Sequence, residues 1–410
     1  MQQPARTFAL LALLGLAAHA TADSPMFRGP NGDGIFADTG LLKTWPEGGP
    51  ALAWKAEGIG AGYAAAAIAN GTVFTNGLLN ENQGFLFAFS LDGKEKWRVN
   101  YGPETLEKQA TGSRGTPCVD GDRVYVASGL GLLSCHAVAD GKMLWQVDVA
   151  AKYHAQETMW AISESPIIDG DLVFSTPGGP NDTIVAFNKM TGEQVWSANI
   201  NGERSAYCTP DVFQFGKNRV LVTMTAKSVV GVDVKDGKVL WVHPHPTNYD
   251  IHATTPVAAG NVIYYSAGYG SGGGALDVSE DGTKVTQKWL DSNLDCQHHG
   301  LCLVDGYVYG TGHQNNKLFC LELATGKEMW STSEVTQGNI IFDEGMLYVY
   351  QGPKKGIVAL VKADPKAFSL AGTLQVPPAK DKHWAHPAIA DGKLFIRHAG
   401  TLYAYDIKAK

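Results

Sequence analysis

The chain has 410 residues, 44% of them hydrophobic and 18% charged, with a formal net charge of −7. That is ample for a large core and excludes a disordered chain. With no basic tract to set against the acidic balance, it also excludes a nucleic-acid partner.

Residues 1–22 read as a secretory leader: Arg6 precedes the apolar run FALLALLGLAA, and small residues follow up to Ala20 and Ala22. The run is too short to span a bilayer, and no later segment approaches the roughly 18 to 20 apolar residues needed. The expectation is a soluble periplasmic or secreted protein, with a lead-in at 23–49, a single folded domain at 50–410 and no transmembrane segment. Within the lead-in, NGDG at 31–34 reads as a turn, because the downstream glutamate of a calcium loop is missing. The six cysteines form no CxxC and no CxxCH haem signature.

From Trp54 onward the chain repeats. Trp54, Trp97, Trp145, Trp196, Trp241, Trp289 and Trp330 recur at intervals of 43, 48, 51, 45, 48 and 41 residues. Most follow a tight turn, as in LDGKEKW, ADGKMLW, MTGEQVW, KDGKVLW and ATGKEMW. The glycine supplies the positive φ of a hairpin turn, and the flanking apolar runs alternate as strands do. An earlier turn in each unit, as in TPCVDGDRVYV and SPIIDGDLVFS, adds two more strands, so each unit holds four, A to D, with the tryptophan on D. Only DVAAKYHAQETMW reads as a short helical excursion.

Four-stranded units of about 45 residues bury both faces only by stacking around an axis, which predicts an all-β propeller. Eight A strands predict eight blades, the last completed by PALAWKA around Trp54. Seven blades is the alternative, because the seventh unit lacks its tryptophan. Cys118 and Cys302 on A strands, and Cys135 and Cys320 on C strands, read as small core residues.

The segments IVAFNKMTGEQVW and LFCLELATGKEMW resemble the PQQ-type propeller repeat, the quinoprotein alcohol dehydrogenase-like family, and MFRGPNGDGIFADTGLLKTWPEGGP resembles the lead-in of its exported members of about 400 residues. The resemblance implies either a quinoprotein oxidoreductase using PQQ, calcium and a carboxylate base, or a non-catalytic periplasmic scaffold like the outer-membrane β-barrel assembly propeller. The adjacent cysteine pair common in the dehydrogenases and the lipid-anchoring cysteine of the scaffold are both missing from this sequence.

Residues just before each A strand, and those in the B-to-C loops, should ring one end of the channel. They include Tyr63, Arg114, Trp160, Glu164, Arg204, Tyr207, His252, His298, His299, Gln337, Asn339, His383, Trp384 and His386, with Lys227, Tyr269, His313, Arg397 and His398 from the loops. Titratable groups from separate blades converging on one concavity point to a binding funnel for a small-molecule or carbohydrate ligand, polar or anionic. His243 and His245 are expected outside it.

Three chemistries can use such a ring. A quinoprotein would take Arg114 or Arg204 for PQQ carboxylates, Trp160 or Trp384 for stacking, and Glu164 as base or calcium ligand, on an alcohol or sugar. A polysaccharide lyase would use His298, His299 and Tyr63 beside Arg204. A zinc or copper site would use His252, His299 and His386.

Overall fold

The computed structural model describes residues 23–409 with the exception of Glu157, so the leader reading lies outside the described residues. Thirty-two strands form eight four-stranded antiparallel sheets, each made of sequence neighbours except one. Blades 1 to 7 occupy residues 67–103, 118–148, 167–198, 211–244, 257–291, 301–332 and 338–375. Blade 8 takes Ala388–Ala390, Lys393–His398 and Thr401–Asp406 from the end of the chain and Ala51–Glu57 from its beginning. The propeller thus has eight blades, closed by the strand around Trp54. The helical excursion is one turn, Val149–Lys152, capped by the Asp148 carboxylate.

The tryptophan repeat has a specific geometry. On its own blade each indole lies opposite a small C-strand residue: Ala88 faces Trp97, Cys135 faces Trp145, Ala186 faces Trp196, Gly231 faces Trp241, Ala275 faces Trp289, Cys320 faces Trp330 and Ala404 faces Trp54. Two large rings would not fit at that cross-strand spacing. The indole N–H then donates to a carbonyl in the C-to-D connection of the next blade, as from Trp97 to Val138 at 3.0 Å, from Trp196 to Val234 at 2.8 Å and from Trp330 to Asp364 at 2.8 Å. The Asp-Gly or Thr-Gly turn leaves room for the ring: a Cβ on Gly237, whose φ is 76°, would lie 2.6 Å from Trp196. The recurring motif is therefore a tenon on one blade and a mortise on the next.

Blade 7 reverses the pair, with Leu360 on the C strand facing Gly372 on D. Trp45 of the lead-in fills the gap, its backbone N–H donating to Ala371 at 3.1 Å and its ring lying 5.9 Å from Tyr348.

The rest of the lead-in is woven into the channel. Ser24 pairs with Ile68, Pro25 accepts from the Val119 N–H at 2.7 Å, and Ile35 and Phe36 run alongside Phe342. Between them Arg28, 3% exposed, donates to the Ile340 carbonyl at 3.2 Å and to Leu301, so its charge rests on backbone oxygens. Ser and Thr hydroxyls before the A strands stitch neighbouring blades: the Ala65 N–H donates to Thr116, that of Thr116 to Ser165 and that of Ser165 to Thr209, all at 2.9 to 3.0 Å. At the closing seam Arg397, 1% exposed, reaches from blade 8 to the Gly60, Ala64 and Asn76 carbonyls. All six cysteines are buried free thiols.

Removing the tenon and narrowing the mortise should both be expensive. Trp196→Ala is expected to cost about 3 to 5 kcal/mol of unfolding free energy. Gly237→Ala is expected to cost at least the about 1 to 2 kcal/mol of a left-handed backbone, with the clash against Trp196 added to it, and urea midpoints are the measurement.

Candidate functional site

On the face where the D-to-A and B-to-C connections gather, the channel opens into a cavity of about 210 Å³. Six aromatic rings line it: Phe27, Tyr63, Trp160, Tyr207, Tyr269 and Trp384. Phe27 comes from the lead-in, so the cavity is a cup rather than a through-channel. Its polar wall is Gln109, Arg114, Ser163, Thr209, Gln297, His298 and His386. None of the described lining residues is Asp or Glu.

The rings are braced in pairs. Tyr63 lies 5.6 Å from Trp384, Trp160 lies 6.0 Å from Tyr207, and the Lys382 ammonium sits 4.0 Å over the Trp384 ring. The Tyr63 hydroxyl donates to Asp381 at 2.5 Å, and burial, with that carboxylate, raises its pKa. Tyr207 and Tyr269 hold φ of 73° and 60°, a left-handed conformation that is unusual for a bulky residue and common at functional sites. Arg114 is mostly buried and bonds Glu107 at 3.2 Å, while its Nη1 has no partner among the described residues.

The histidines are held neutral. His386 donates from Nε2 to the His298 carbonyl at 2.9 Å, which leaves Nδ1 to accept from Arg28 at 3.5 Å and fixes the tautomer. Burial pushes His298 down to about 3, and His299 and His386 well below the usual imidazole value. Nε2 of His298 and Nε1 of Trp384 are buried and unpartnered.

Of the residues singled out from sequence, Tyr63, Arg114, Trp160, Tyr207, Tyr269, His298, Trp384 and His386 line the cup. Others do not. Glu164 is 4% exposed and its carboxylate accepts from the Ser175 hydroxyl and the Thr176 N–H, so it clamps the B-to-C connection of its own blade. His299 lies behind the wall against Gln337, and His252 lies against His245 on the outer side. Among the described residues no three His, Cys, Asp or Glu groups are gathered as a metal requires, so His252, His299 and His386 do not make the three-imidazole site. Arg204 lies in an adjoining groove, ion-paired with Asp250. Arg397 is spent on the seam, and His398 is held between the Pro377 and Asp381 carbonyls. His243 and His245 pack on Tyr265, away from the cup. Sequence reasoning missed Phe27, Gln109, Ala110, Ser163, Thr209, Ile251, Ala253 and Gln297; all but Phe27 lie in the connections that lead into A strands and are within reach of the same positional rule.

The family model described as outer membrane protein assembly factor BamB matches residues 82–332. The chain belongs to that family. It is 26% identical to the BamB of Salmonella typhimurium over 331 residues, covering 76% of this chain and 77% of the relative. Among solved structures, BamB from Moraxella catarrhalis superposes with a TM-score of 0.64 at 14% identity, over 88% of this chain and 98% of that one. Quinohemoprotein alcohol dehydrogenase from Comamonas testosteroni gives 0.71 at 13% identity, over 95% and 81%. At those identities the superpositions establish the PQQ-type eight-bladed fold that BamB shares, and no more. Among the described residues no helix is long and apolar enough to cross a membrane.

The neutral histidines set the acid response. In the unfolded chain imidazoles take a proton near pH 6.5, whereas His298 waits until about 3 and His245, His252 and His383 until about 4. The unfolded state therefore binds more protons below pH 6.5, and stability falls with pH, by roughly 2 kcal/mol for a fully buried imidazole between pH 6.5 and 5. Asp211 and Asp343, raised by burial to about 8 and about 7, work in the opposite direction, as do Glu104 and Glu164, also raised by burial. The depressed histidines outweigh them, so the melting temperature is expected to be lower at pH 5 than at pH 7, and His298→Gln is expected to flatten the decline.

Proposed function

We propose that the chain is an exported, periplasmic propeller that works by binding and carries out no redox chemistry, with the top-face cup as its recognition site. A protein partner belongs to this reading, since the relatives that support it are assembly factors by name. The observation that carries it is the donor set of the cup: six aromatic rings and neutral histidines, with no carboxylate among the described lining residues.

A quinone cofactor with calcium fits that set poorly. Trp160 and Trp384 offer stacking faces and Arg114 a guanidinium, but Arg114 is already paired with Glu107, and the candidate base and calcium ligand, Glu164, is engaged by Ser175 and Thr176. A calcium ion needs six to eight oxygen ligands, several of them carboxylate. A general base must reach the proton that it takes. No described carboxylate is placed for either task. The lyase reading loses its neutralising arginine in the same way, since Arg204 is bonded to Asp250.

Titration of the purified protein with PQQ and calcium, followed by quinone absorbance and by dye reduction with ethanol and glucose, is expected to give neither binding nor turnover. Reduction of dye that depends on added PQQ would overturn the proposal.

A further inference from the structure

A second cavity, of about 220 Å³, lies beside the cup and shares Tyr207 with it. Its other walls include Met159, Arg204, Tyr249 and Asp250. Tyr207 stands between the two, and the second cavity is lined by the loops after blades 2, 3 and 4.

The groove continues the chemistry of the cup. Trp160 braces Tyr207 at 6.0 Å, and Tyr249 stands 5.4 Å from Tyr269, so aromatic pairs link the walls of the two cavities. Tyr249 and Met159, at the outer end, are 65% and 66% exposed, large apolar groups that nothing in the fold covers. Tyr249 also holds a φ of 72°, and Ala161 one of 62°, as Tyr207 and Tyr269 do. With Asp250 at 54°, five left-handed non-glycine residues around one cleft represent stored backbone strain, which persists where function repays it. Between the rings stand planar polar groups: the Gln109 and Gln297 amides in the cup, and the Arg204–Asp250 pair in the groove.

From these features, and resting on the non-catalytic reading of the cup, we propose that cup and groove together bind a neutral oligosaccharide of several rings. The C–H faces of a pyranose stack on aromatic rings, and its vicinal hydroxyls match planar amide, guanidinium and carboxylate groups. The two guanidinium groups of the cleft are matched by carboxylates, Arg114 by Glu107 and Arg204 by Asp250, and the Lys382 ammonium over Trp384 donates to the Gln109 carbonyl, which disfavours a polyanion. A peptide is disfavoured for another reason. It is commonly read through an open strand edge, and at Ile68, Val119 and Phe342 the channel-facing edges are taken by the lead-in.

The test is calorimetric and fluorescence titration of the full chain with glucose, maltohexaose, cellohexaose and chitohexaose, with hexa-alanine and polygalacturonate hexamer as contrasts. At least one neutral hexasaccharide is expected to bind about tenfold or more tighter than its monosaccharide, a gain of about 1.4 kcal/mol. Tyr249→Ala, at an exposed position, is expected to lower hexasaccharide affinity by about tenfold and so remove the length dependence, with a smaller loss for the monosaccharide. Trp160→Ala is expected to weaken both. Preference for the peptide or the polyanion, no binding of any neutral hexasaccharide, or binding that both substitutions leave intact would overturn the glycan proposal while sparing the non-catalytic reading. PQQ-dependent dye reduction overturns the latter.

Discussion

Each blade of this propeller is finished by its neighbour. An indole projects from the outer strand of one sheet, and its N–H finds a carbonyl beside the C-to-D turn of the next, over a glycine whose missing side chain makes the space. A buried indole needs both an apolar bed and a hydrogen-bond partner, and here the two come from the same turn. The small residue opposite each indole, the turn glycine and the indole itself thus form one unit spread over two blades. A change at any of the three is felt across a blade boundary. Blade 7 keeps half of that arrangement: with the pair reversed at Leu360 and Gly372, the Trp45 ring arrives from outside the repeat to fill the space, while its indole N–H has no partner among the described residues.

That coupling explains why the fold was legible in the sequence. The indole spacing, the Asp-Gly and Thr-Gly turns and the orphan strand around Trp54 carry blade number and closure directly, because each is demanded by a local steric rule repeated many times. Cys135 and Cys320 could be read as small core residues for the same reason. The site was legible only by position. Counting back from each A strand found Tyr63, Arg114, Trp160, His298, Trp384 and His386, which do line the cup. The same count could not say that Glu164 turns back onto Ser175 and Thr176, that Arg204 is held by Asp250, or that Arg397 crosses the seam. Those outcomes depend on side-chain direction and on partners in other blades, which no repeat register encodes. Phe27 was beyond reach altogether, since it belongs to a segment with no repeat.

The cup is notable for how completely its polar groups are disarmed for acid–base work. Low dielectric surroundings penalise the charged form of an imidazole, and the Arg28 guanidinium beside His386 adds to that penalty. What is left at neutral pH is a set of neutral rings and fixed dipoles, with the Arg114 guanidinium, paired to Glu107, as the charged group of the described lining. Arg114 Nη1, His298 Nε2 and Trp384 Nε1 are shielded from solvent and have no hydrogen-bond partner among the described residues.

The lead-in adds a temporal constraint. Ser24 and Phe36 find their partners in blades 1 and 7, and the strand Ala51–Glu57 is paired with Thr401–Asp406, across the whole length of the propeller sequence. Contacts of such sequence separation form slowly. Ser24 and Pro25 can find Ile68 and Val119 as soon as blades 1 and 2 exist, whereas Phe36 and the strand Ala51–Glu57 have no partner until blades 7 and 8 are present. A truncated or stalled chain would expose the unclosed edges of blade 8 and the apolar face meant for Trp54, which marks incomplete molecules for aggregation or proteolysis and makes closure of the ring the step at which the protein becomes durable.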